Sequence, residues 1–61
     1  MGKVYLFLTE WGDFSICRTV EKDDLKAVDA GIMDILDISN PESTTIYEDG
    51  QWIGVEEYER K

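Results

Sequence analysis

The 61-residue sequence predicts an α+β domain: a small antiparallel sheet with one helix on one face, in the order β-β-α-β-β-β. Three observations carry this. Two β-rich runs, residues 3–9 and 14–20, are separated by a glycine-containing turn. A short amphipathic stretch starts at Glu21 and runs into Gly31. Asp49-Gly50, the strongest hairpin signal in the chain, separates two further β-rich runs.

Residues 3–9 carry β-branched and aromatic side chains and read as a strand. Val4, Leu6 and Leu8 fall on one face; Tyr5, Phe7 and Thr9 fall on the other. Large apolar groups on both faces imply a strand covered on both sides, or one whose second face meets another chain. Residues 10–13 read as a turn around Gly12. Residues 14–20 then alternate, with Phe14, Ile16 and Val20 opposite Ser15, Cys17 and Thr19. This is the clearest strand pattern in the chain, and the short gap before it predicts a hairpin.

The helix is expected to start at Glu21, with Val20 and Leu25 stapling its first turn. Asp23 and Asp24 lie where the helix dipole favours carboxylates. Gly31 can take the left-handed conformation that ends a helix, so a helix to Ala30 followed by a strand over residues 32–38 is favoured. Leu25, Val28, Ile32, Ile35 and Leu36 also fit one helical stripe. The alternative is therefore β-β-α-β-β, with one longer helix over Glu21–Ile38. A mid-helix glycine would cost it only about 1 kcal/mol.

Residues 39–43 read as a loop, with Asn40 held extended by Pro41. Residues 44–48 and 51–55 pair through Asp49-Gly50 as a type I′ hairpin. The charged residues 57–61 read as a frayed tail of a single domain spanning residues 1–61. One ten-residue helix cannot cover five strands. Some of Tyr5, Phe7, Ile53 and Val55, or the residues opposite them, should remain uncovered. Trp52, inside a strand, is expected in the core.

Fourteen acidic residues against six basic ones give a net charge of −8. That sign disfavours direct binding to nucleic acid and to anionic membranes. No apolar run reaches the length of a membrane span or a signal peptide, and one unpaired thiol suits the cytoplasm. A chain this short is near the limit for folding alone, and with one cysteine and no histidine it has neither disulfide nor zinc to staple it. Oligomerisation is the remaining staple, which points to a homodimer, joined face to face or through edge strands.

Catalysis has little to work with. There is no histidine, and no base stands near Ser15, Ser39 or Ser43 in the sequence. Cys17 reads as a packed strand residue. Asp34 and Asp37 would adjoin only on a helix, and the calcium-loop spacing is absent. No catalytic residue, cofactor or metal is therefore assigned. Trp11 stands out: in a turn beside Glu10, Gly12 and Asp13, it either folds back over the sheet or anchors an interface. With Glu10, Asp13, Tyr5, Phe7, Asp23 and Asp24 it makes up the candidate interaction set.

The expected function is a non-enzymatic, acidic interaction module. It would bind a protein with a basic surface, as an inhibitor or modulator of a nucleic-acid-handling protein of the kind a phage carries, its carboxylates mimicking phosphates. Two alternatives come from other classes. One is a small-molecule site at a dimer interface lined by Tyr5, Phe7 and Trp52. The other is a structural subunit of a larger assembly.

Overall fold

A computed structural model describes residues 2–60. Its strands are β1 (Tyr5–Thr9), β2 (Phe14–Cys17), β3 (Met33–Asp37), β4 (Thr45–Glu48) and β5 (Gln51–Gly54). Helix α1 (Lys22–Asp29) lies between β2 and β3, so the order β-β-α-β-β-β holds. A short helix, α2 (Val55–Glu59), follows β5, where the sequence reads as a charged tail. The part of that expected fraying that falls on Lys61 lies outside the described residues.

The strands form one antiparallel sheet in the order β2-β1-β3-β4-β5. The chain therefore steps over β1 between β2 and β3, and α1 makes that step. A long connection is what two strands running the same way require. Three connections gather at one end of the sheet: the β1–β2 turn, the α1–β3 junction and the β4–β5 turn.

Gly31 settles the choice between strand and longer helix. Its φ is +79°. Its N–H donates to the Val28 carbonyl at 3.0 Å, and the Ile32 N–H donates to Ala27 at 3.2 Å. This pair of bonds is the Schellman closure, which satisfies the last helical carbonyls and turns the chain out of the helix. At the other end the Glu21 N–H donates to the Asp24 carboxylate at 2.9 Å, so Asp24 reaches back to close the first turn. In the β4–β5 turn, Asp49 and Gly50 have φ of 50° and 81°, the two left-handed positions of a type I′ turn.

Residues directly opposite one another across a ladder share a face. The register puts Tyr5, Phe7, Ile35, Tyr47 and Trp52 on one face. Leu6, Leu8, Phe14, Ile16, Leu36, Ile46 and Ile53 lie on the other. The buried residues come from both faces: Phe7 and Ile35 from the first, Ile46 and Ile53 from the second. Ile35, on the central strand, is wholly buried. Both helices pack on one half of the sheet, α1 against β3 and β4, α2 against β4 and β5.

Of the four residues the sequence reading names first for the uncovered surface, none is fully exposed. Phe7 and Ile53 are buried, and Tyr5 and Val55 are half-buried. Instead Phe14 is 70% exposed and Ile16 54%, because no helix reaches the edge strand β2. Trp52 is also not core: it remains 40% exposed. β5 is the opposite edge strand, and the Trp52 ring lies across the sheet against Tyr47 and Tyr5, with centroids 5.3 and 5.7 Å away.

A polar clamp joins β1 to the end of β3. The Ser39 hydroxyl oxygen accepts the Val4 N–H at 2.8 Å, and the Ser39 N–H donates to Asp37 at 2.9 Å. Lys3 pairs with the same carboxylate at 3.4 Å. The Ser39 hydroxyl, followed by the Ser39 N–H and Lys3, holds the Asp37 carboxyl below its ordinary value of 3.8, against the opposing effect of burial.

Candidate interaction surface

The β1–β2 turn is built to project its tryptophan. The Thr9 N–H donates to the Asp13 carbonyl at 2.9 Å, and the Gly12 N–H donates to the Thr9 carbonyl at 3.1 Å. The Asp13 N–H returns to the Thr9 hydroxyl oxygen at 3.2 Å. Gly12 takes φ of +87°. The tightened loop leaves Trp11 74% exposed, so it does not fold back over the sheet. The Glu10 N–H donates to the Ile32 carbonyl at 3.3 Å, tying this turn to the junction that follows α1.

The rest of the candidate set divides. Glu10 and Asp13 are exposed beside Trp11. Tyr5 and Phe7 lie back along β1, Phe7 in the interior and Tyr5 against Trp52, with little surface to offer a partner. Asp23 is exposed at the start of α1, and Asp24 is half-buried with its carboxylate engaged in the helix cap. β2 separates that helix start from the Trp11 turn, so the two acidic groups sit at opposite ends of the sheet.

Other carboxylates lie at the same end of the sheet as Trp11. Because three connections meet at its end of the sheet, Glu10 and Asp13 are accompanied by Asp29 and Asp34 from the α1–β3 junction. Glu48 and Asp49 arrive there from the β4–β5 turn. Reading the sequence segment by segment misses this, since the grouping follows from the strand order. The only signal available was that each of those connections carries acidic residues and no lysine or arginine.

An open groove of about 610 Å³ runs along this end, lined by Val28, Asp29, Asp34, Glu48, Asp49 and Tyr58 among others. The size would suit a small molecule, but ligand sites are mostly apolar with a few polar groups, and this lining is rich in carboxylates. Tyr5, Phe7 and Trp52 line neither this groove nor a second one beside Pro41 and Val55. Asp34 and Asp37 stand three apart on a strand and so point to opposite faces, which rules out their use as a carboxylate pair.

Cys17 is half-buried on β2, on the same face as Ser15. Among the described residues, no group of three or more carboxylates and thiols is placed to hold a metal ion. Among the same residues, no helix is long and apolar enough to cross a membrane. The one ion pair between described residues, Lys3 with Asp37, lies away from the Trp11 end. Compared with models of protein families, with curated proteins and with solved structures, the chain matches none.

Proposed function

We propose that this protein is a non-enzymatic, acidic interaction module that works as a homodimer and docks on a basic surface of another protein. The observation that carries the reading is one end of the sheet, which bears an exposed Trp11 with Glu10 and Asp13 in its turn and, further along the same end, Asp34 and Asp49. The tryptophan would supply the anchor, as large aromatic residues do in interface hot spots. The carboxylates would steer the encounter and raise its rate at low salt. A basic surface that carboxylates fit is also one that phosphates fit. The partner class that follows is a nucleic-acid-handling protein, inhibited or modulated by occupation of its phosphate-binding surface.

The test starts with affinity capture from host lysate, eluted by rising salt, and continues with the purified partner. Trp11→Ala should weaken binding at least tenfold, the scale of a hot-spot truncation of about 2 kcal/mol. Neutralising Glu10, Asp13, Asp34 and Asp49 to their amides should slow association and flatten its salt dependence. A partner bound equally well by wild type and by both variants would sink the reading.

A further inference from the structure

The edge strand β2 presents a second surface, and its chemistry differs from that of the turn end. The Thr9 N–H bonds to the Asp13 carbonyl, which places the backbone groups of Asp13, Ser15 and Cys17 toward β1. By alternation, the N–H and C=O groups of Phe14 and Ile16 face outward along a free edge. Apart from shortness, which the four residues of β2 do have, the common devices that blunt an edge strand are lysine, proline, a bulge or a covering helix. None is present here: residues 14–17 are Phe-Ser-Ile-Cys, the pairing with β1 is regular, and neither helix packs on β2.

We infer that β2 is the surface through which two copies of this chain join, antiparallel, about a two-fold axis at Ser15. The inference refines the dimer part of the proposed function, but it rests on the edge strand and not on the turn-end carboxylates, so either can fail alone.

Charge selects the occupant. The chain carries −8, and two copies repel wherever their carboxylates face each other. Residues 14–20 contain no acid and one base, Arg18, so a like-charged copy can approach this strand without meeting a carboxylate on it. A basic partner, by contrast, finds nothing to pair with on β2.

Geometry then sets the register. With the axis at Ser15, Phe14 of one copy lies opposite Ile16 of the other, and both have outward backbone groups. Each such pair exchanges two N–H···O bonds. Phe14 and Ile16 share a face with Leu8 and Leu6, their partners on β1. The joined sheets would therefore carry two continuous rows, Leu8–Phe14–Ile16–Leu6, running across four strands. The same register brings Arg18 of each copy level with Gly12 of the second copy, so no like charges stand directly opposite each other along the seam. The seam is short, and its area falls at the low end for specific interfaces, which sets the expected dissociation constant at roughly micromolar.

Sedimentation equilibrium from about 1 to 300 μM tests the pairing, the span in which a micromolar dimer forms. The wild-type mass should rise from monomer to dimer. Ile16→Lys should remain monomeric throughout while keeping the wild-type circular dichroism. Phe14→Lys serves the same purpose should the first variant unfold. The register is tested by oxidising Ser15→Cys in a Cys17→Ser background. Opposed non-hydrogen-bonded residues have Cα atoms about 4.5 Å apart, within disulfide reach, so this variant should cross-link nearly completely at dimer-forming concentration. A wild type that is monomeric at the highest concentration, or a dimer indifferent to both lysines, overturns the interface. A dimer that cross-links through Cys17 in the wild type and not through position 15 overturns the register.

Discussion

The two halves of the sheet are made of similar residues and meet different fates. β3, β4 and β5 each lie beside a helix, β4 beside both, and hold Ile35, Ile46 and Ile53, all buried. β2 has the cleanest alternation of apolar and polar residues in the chain, yet Phe14 and Ile16 stand in solvent. The contrast teaches that alternation specifies a face and not its burial. What buries a face is whatever the topology brings over it, and here both helices come to the β3–β5 side. The covered half holds most of the buried core, and the edge strand of the other half stays bare.

The sharpest way to break that contrast is to shorten a side chain in each half and compare. Ile35→Ala should cost about 3–4 kcal/mol in urea denaturation, since the site is fully buried on the central strand. A domain of this size could lose most of its stability to that change. Gly31→Ala tests the junction between the halves. No atom obstructs an added methyl group there, so its cost of about 1–2 kcal/mol would come from the left-handed backbone alone.

The clamp at Asp37 gives an effect that depends on pH. Its carboxyl is held below the ordinary value, so its contribution is present above the unfolded value of 3.8 and is lost as pH falls through the lower folded value. Asp37→Asn should reduce stability at neutral pH by about 1 kcal/mol. It should also flatten the decline of the unfolding midpoint with acid below pH 3.8. A decline as steep as in the wild type would assign the acid sensitivity to other carboxylates. At the small end, Phe14→Ser should change monomer stability by less than about 0.5 kcal/mol, as expected for an exposed site. A loss comparable to that of Ile35→Ala would erase the difference between the halves.

These particular residues also explain what could be read in advance. Asp49-Gly50 was legible because few other dipeptides tolerate two left-handed positions in succession. Gly31 was legible as a stop, though the isoleucines after it fit a helix nearly as well, and the decision came from hydrogen bonds that composition does not express. Trp11 was legible as unusual but not as exposed, since a turn can fold either way. The exposure of Phe14 and Ile16, the half-covered Trp52 and the placing of Asp29, Asp34, Glu48 and Asp49 at the same end of the sheet as Trp11 were not legible. Each depends on which strand lies next to which. That order is a property of long-range pairing, and local pattern carries no record of it.

The strand order also bears on how the chain reaches this state. The two hairpins are local, and each can form within microseconds, yet a lone hairpin is barely stable in water. The pairing that unites them, β1 with β3, is the least local in the sheet: Tyr5 meets Asp37 across more than half of the 61-residue chain. Closing that loop costs entropy before the central strand returns any burial. The transition state should therefore contain the β1–β3 seam, so that changes at Leu6 or Leu36 slow folding while changes in β2 mainly speed unfolding.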